Sequence, residues 1–235
     1  MNLCEPIFGN DPQSVAVRSR GDDTTYGELA EQVAALGGCL VARGVKGGDR
    51  VAIVAANNWY FIVSCLAALH IGAIAVPLSS RTPAIEMERQ LRAAGVTALL
   101  LGPGGTRRAA ELPSELLTAM SLVVTPDPAL LEGSADKDFV VQLDDALASD
   151  PVPHVECNTD DVAVLLFTSG TAGLPKAAML THGNLMANHA QLEAHPDTHL
   201  GSEDVVVAVL PFSHIFGLNV MLFWPLAMGA MVIPV

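Results

Sequence analysis

Short apolar runs recur along this chain between stretches of helical spacing, and that alternation constrains the fold more than any other feature. The clearest unit is TTYGELAEQVAALGGCLVARGVKGGDRVAIVAANN, residues 24–58. Leu29, Val33, Leu36 and Leu40 share one helical face, Gly44 stands where a glycine just past the last turn would stop the helix, and DRVAIVA then reads as a buried strand. The same reading gives strands at 50–55, 73–77, 98–101, 122–125, 162–167, 177–180, 205–210 and 230–235, and helices at 26–43, 59–70, 84–94, 184–194 and 218–228. Strands and helices in alternation predict an α/β fold, with mainly parallel sheet layers flanked by helices. Residues 103–153 are the least regular part. With Gly104, Gly105, Pro113, Pro126, Pro128 and acidic runs, they are expected to form a surface excursion or a boundary between two subdomains, near 103–160. No internal repeat is present.

One loop in this pattern carries chemistry. In LLFTSGTAGLPKAAMLTHGNL, residues 165–185, a buried strand runs into a segment that could not pack a core. Thr168, Ser169 and Thr171 bring hydroxyl groups, Gly170 and Gly173 permit positive φ and close approach of backbone N–H groups to a guest, and Lys176 brings a compact charge. Pro175 stiffens the approach to that lysine. Phosphate is the guest that such a set suits. The bland reading is an ordinary Gly/Ser/Thr turn. A Walker-type nucleotide loop is disfavoured, because Pro175 precedes the lysine and Ala177 follows it where glycine and a hydroxyl residue are required.

TSGTAGLPKA resembles the phosphate-binding signature of the adenylate-forming (AMP-binding) enzymes, the superfamily of acyl-CoA synthetases, luciferases and peptide-synthetase adenylation domains, whose usual form is TSGTTGxPKG. Thr168, Ser169, Gly170, Thr171, Gly173, Pro175 and Lys176 match; Ala172 and Ala177 depart from it, replacing a threonine and a glycine. VLPFSHIFGLN, residues 209–219, resembles the superfamily's next motif, in which a strand ending in proline leads through an aromatic-x-His-x-x-Gly turn into a helix. The resemblance implies that His214 borders the acyl and adenylate pocket and that Gly217 lets the helix start close to it. Taken by itself, His214 reads as a structural histidine in a loop. Residues 24–58 resemble the entry segment of the same enzymes.

Composition narrows the alternatives. The chain has 12 basic and 25 acidic side chains, a net charge of −13 that repels nucleic acid and anionic membrane surfaces. Cys4, Cys39, Cys65 and Cys157 form no C-x-x-C pair, so neither a zinc site nor a disulfide framework is indicated and a reducing, cytoplasmic location is expected. MNLCEPIFGN has no basic and apolar arrangement of a secretory signal. Residues 215–235 carry no charge and reach the length of a membrane span, but Asn219, Pro225, Gly229 and Pro234 interrupt them and no Lys or Arg flanks them.

The resemblance therefore implies the N-terminal portion, over residues 1–235, of the large domain of an acyl-CoA synthetase, with the C-terminal domain absent. Such an enzyme joins a carboxylic acid, here expected to be a fatty acid, to ATP, giving an acyl-adenylate that is passed to coenzyme A, with Mg2+ in the intact protein. Thr168, Ser169, Gly170, Thr171, Gly173 and Lys176 would hold the ATP phosphates; no complete catalytic set and no metal site is expected in this chain. The isolated chain is expected to be inactive and to self-associate. Two other readings are a non-catalytic interaction half-domain and a protein anchored in the membrane through 215–235.

Overall fold

The computed structural model describes residues 2–131, 138–168 and 175–235. A short helix, α1 (Glu5–Phe8), leads to a hairpin of β1 (Val15–Ser19) and β2 (Asp22–Thr25). The apolar pattern gives little sign of this hairpin, since β2 is Asp-Asp-Thr-Thr and holds only because its neighbour supplies the pairing. Helix α2 (Tyr26–Ala42) starts on a reciprocal cap: the Thr25 hydroxyl accepts from the Glu28 amide at 3.2 Å and the Glu28 carboxylate accepts from the Thr25 amide at 2.8 Å. It stops at Gly44, whose φ of 85° a residue with a side chain rarely adopts.

Next come β3 (Arg50–Ala55), α3 (Trp59–His70), β4 (Ile74–Ser79), α4 (Ala84–Ala94) and β5 (Ala98–Leu101). Residues 103–153 contain α5 (Pro103–Ala109), α6 (Ser114–Thr118), β6 (Leu122–Thr125), a 3₁₀ turn (Pro128–Leu131), β7 (Val140–Gln142) and α7 (Leu143–Leu147). Then follow β8 (Val162–Phe167), β9 (Ala177–Thr181), α8 (His182–Glu193), β10 (Val205–Ala208), a π-helix (Phe216–Phe223), α9 (Trp224–Ala227) and β11 (Met231–Pro234).

The strands form two sheets. The larger has the order β7-β6-β5-β3-β4-β8-β9 and is parallel except for the final β8–β9 pair. The irregular stretch thus adds β6 and β7 to this sheet. The smaller sheet has the order β10-β11-β1-β2. Strand β3 shows why the larger sheet's strands are unbroken apolar runs. Val51 and Ile53 enter the core that α2 and α3 cover, while Ala52 and Val54 enter the core under α4 and α6, so both faces are dry.

Because β3, β4 and β8 are parallel, the loops that follow them all emerge on one edge of the sheet. That edge carries Thr168 and Lys176, the described ends of the loop. Residues 215–235 divide into the π-helix, α9 and β11, and no helix among the described residues is long and apolar enough to cross a membrane.

Candidate functional site

The loop is built from its neck outwards. β8 and β9 run antiparallel from Val162 paired with Thr181 to Phe167 paired with Ala177, and Thr168 closes the end of that ladder. Its amide donates to the Lys176 carbonyl at 3.0 Å and its hydroxyl to the same oxygen at 3.3 Å. Thr168 and Lys176 are therefore brought together, with the threonine hydroxyl engaged by the backbone. Ser169, Gly170, Thr171 and Gly173 lie outside the described residues. Lys176 is exposed, and its ammonium group makes no ion pair among them. In a chain with this excess of carboxylates, an unpaired cation on the carboxyl edge of a parallel sheet suits a polyanionic guest such as the phosphates of ATP.

Just beyond the hairpin, Thr181 and Asn184 cap α8 reciprocally, so the helix starts directly after the strand. His182, its first residue, accepts a hydrogen bond at Nδ1 from the Leu3 amide at 3.0 Å. Burial pushes this imidazole down to about 4 and keeps it neutral. The buried Cys4 and Cys65 thiols are held well above their ordinary range by burial, which removes them as nucleophiles.

His214 and Gly217 stand at the end of the segment that follows β10. His214 is exposed, its amide donating to the Pro211 carbonyl at 3.0 Å and its carbonyl accepting the Leu218 amide at 2.9 Å. Gly217 is buried where the helix begins. A Cβ there would lie 2.7 Å from the Leu210 carbonyl oxygen and against the Pro211 carbonyl, so only glycine lets this helix start so close to the preceding strand. No hydrogen bond or ion pair joins Thr168 or Lys176 to His214 among the described residues.

A residue that the sequence patterns do not single out holds this segment. Asn57, in the loop after β3, donates from Nδ2 to the carbonyls of Ala208 at 3.2 Å and Leu210 at 2.9 Å, and its Oδ1 accepts the Phe212 amide at 2.9 Å. One amide side chain thus ties the larger sheet to the His214 turn. The Asn-Asn pair at a strand end is the only local sign of it, and its neighbour Asn58 serves a different purpose, capping α3. The π-helix is fixed from the other side: Asn219 is buried and meets His189 Nε2 at 2.9 Å and Asn188 Oδ1 at 3.0 Å, both on α8. Helix geometry of this kind often accompanies functional sites. Among the described residues no group of His, Cys, Asp and Glu could hold a metal.

Comparison with known proteins places this geometry. The model of one family, AMP-binding enzyme, matches residues 8–235. A feruloyl-CoA synthase of an Amycolatopsis species is 33% identical over 222 residues, covering 94% of this chain and 41% of the relative. A 4-coumarate–CoA ligase of Arabidopsis thaliana is 30% identical, with 95% and 39% covered. Among solved structures, ATP-bound MatB from Rhodopseudomonas palustris superposes with a TM-score of 0.79 at 27% identity, covering 99% of this chain and 45% of that one. The chain thus spans about two fifths of the length of these curated relatives.

Proposed function

The chain belongs to the AMP-binding enzyme family, and from that premise we propose that it is the N-terminal part of an ATP-dependent acid–CoA ligase, providing the phosphate-binding hairpin and one wall of the acyl pocket. In the parent reaction a carboxylate oxygen attacks the α-phosphorus of ATP, pyrophosphate leaves, and the coenzyme A thiol then attacks the acyl-adenylate and releases AMP. The observation that carries this reading is the β8–β9 hairpin, whose neck is closed by Thr168 and whose β9 arm is preceded by the exposed Lys176, which makes no ion pair among the described residues. Ser169, Gly170, Thr171, Gly173 and Lys176 hold the β- and γ-phosphates, and Thr168, engaged on the Lys176 carbonyl, sets the loop's neck; catalysis there is positioning and charge stabilisation. His214 and Gly217 border the acyl side. Mg2+ would accompany the ATP phosphates in the assembled enzyme.

The acid is a small carboxylic acid. Relatives named for feruloyl-CoA and 4-coumarate support an aryl acid over the fatty acid that the resemblance first suggested. The chain alone is incompetent for thioester formation, since partial constellations lose most of their rate.

ATP binding to the 235-residue chain, followed by calorimetry, tests the reading. Lys176→Ala is expected to weaken binding by about 2 kcal/mol, the value of a hydrogen bond to a charged group. Gly170→Val is expected to weaken it further, because a β-branched residue resists positive φ and crowds the phosphate. Folded variants that bind ATP as tightly as the parent would refute a phosphate role for the loop.

A further inference from the structure

A cavity of about 330 Å³ opens between the carboxyl edge of the larger sheet and the β1–β2 hairpin of the smaller one. Its place follows from the winding of the chain. The connection leaving β3, helix α3, packs in the core on one face of the sheet, while α5 and α6, which leave the adjacent strand β5, pack on the other. Neighbouring strands whose connections diverge in this way leave a crevice beyond their carboxyl ends, and open α/β sheets take ligands at such a reversal. The walls come from these ends: Trp59 after β3, Pro103 after β5 and Pro126 after β6. Among the described residues, neither Thr168 nor Lys176 nor the 209–217 segment lines it.

The lining also specifies a chemistry. Arg20 and Gly21 form the hairpin turn with φ of 57° and 96°, the pair of positive values that favours Asn, Asp or Gly at the first position. Arginine is a poor choice there on conformational grounds, and the side chain it brings lines the cavity. Among the described residues it has no ion-pair partner, whereas Arg18 on the same hairpin is paired with Asp23 at 2.6 Å. The Trp59 indole is fixed in orientation, its Nε1 donating to Gln32 Oε1 at 2.9 Å. An anchored indole in a cavity also lined by Pro103 and Pro126 suits a flat ring, and a guanidinium in the same lining can donate paired hydrogen bonds to a carboxylate or phosphate. Asp22 stands on the same wall and supplies an acceptor for a ligand N–H or O–H.

We propose that this cavity is a second binding site, for a planar aromatic molecule with an anionic head group, its ring against Trp59 and its head on Arg20. Two sources share that chemistry, an aromatic carboxylic acid and an adenine mononucleotide.

The chain has two tryptophans, so Trp224→Phe leaves Trp59 as the only indole reporter. Cinnamate and AMP are titrated against its fluorescence, with cinnamamide and adenosine as uncharged controls, and ligand-observed NMR on the unsubstituted chain repeats the measurement. Saturable quenching by either anion with a dissociation constant below about 1 mM is expected. Cinnamate alone would identify an acid site and AMP alone a nucleotide site. Arg20→Gly should weaken the anion at least about tenfold and leave the uncharged control unchanged. Glycine takes the turn conformation without strain, so this variant should melt no lower than its parent. The proposal is overturned if neither anion quenches Trp59, or if Arg20→Gly binds like the parent. It is also overturned if Lys176→Ala abolishes quenching while Arg20→Gly does not, since the probe then sits at the phosphate hairpin.

Discussion

Replacing Asn57 by alanine should loosen the His214 turn while leaving the larger sheet intact. Three hydrogen bonds are lost, two from Nδ2 to the Ala208 and Leu210 carbonyls and one from the Phe212 amide to Oδ1. At about 1 kcal/mol each they sum to about 3 kcal/mol. The Leu210 carbonyl is exposed and regains a water partner, whereas the Phe212 amide belongs to a residue that is 1% exposed and packed on Phe61, with ring centroids 5.3 Å apart. The net cost is therefore about 2 kcal/mol, with the loss concentrated at Phe212. For a chain of this size that corresponds to a melting temperature lower by about 4–8 °C. Urea titration should show an earlier midpoint with an unchanged slope, and amide hydrogen exchange should rise in 209–217 more than elsewhere. Asn57→Asp sharpens the test. The carboxylate keeps the Phe212 bond but faces two carbonyl oxygens, so its folded pKa is raised: its protonated form restores a donor at low pH, and the relative stability is lost as pH rises through that pKa. An Asn57→Ala protein that melts with its parent, or that accelerates exchange evenly across the sheet, would show that the turn is held by packing alone.

The remaining predictions concern other contacts. Because His182 has a folded pKa of about 4 against an ordinary value of 6.5, the unfolded chain binds a proton first as pH falls. Stability is then complete above 6.5 and declines towards 4, by about 2 kcal/mol after allowing for solvent screening; urea midpoints at neutral and acidic pH in parent and His182→Asn would differ in slope if the histidine is responsible. Gly217→Ala should cost about 2–4 kcal/mol by driving a methyl group into the Leu210 and Pro211 carbonyls, while Gly201→Ala, with nothing within 4 Å of the added carbon, should be near neutral; equal melts for the two would refute the close-approach argument. Val205 and Val207 on β10, an edge strand, and Val209 just after it are 51%, 50% and 61% exposed, so light scattering should detect self-association that Val207→Lys reduces. A monodisperse parent at high concentration would count against it.

How much of this was legible in the sequence depends on where each residue's partners lie. Strands 50–55, 98–101, 122–125 and 162–167 coincide with β3, β5, β6 and β8 because burial on both faces writes a continuous apolar run into the chain. β7 is three residues long and only half-buried, and β2 is polar at the sheet margin, so neither carries a period that could be read. The strand expected at 205–210 ends instead at Ala208, and the Leu210 carbonyl beyond it is held by Asn57. The helix expected at 218–228 begins at Phe216 as a π-helix. In a run apolar on every side, periodicity cannot fix the start, and the decisive constraint is the missing Cβ at Gly217.

The candidate site divides along the same line. Glycines, hydroxyls and a lysine in one loop announce anion chemistry because their properties are local to each residue. Asn57 announces nothing, since its role is defined by carbonyls more than 150 residues away. Thr168 shows that even a local reading is incomplete. Its hydroxyl counts among the loop's donors in the sequence, yet it is engaged at the hairpin neck, 3.3 Å from the Lys176 carbonyl. A hydroxyl in that position fixes where the lysine leaves the strand, so its contribution to phosphate binding is exerted through the placement of Lys176. Thr168→Val, which removes the hydroxyl while keeping the shape, should accordingly weaken ATP by less than Lys176→Ala does.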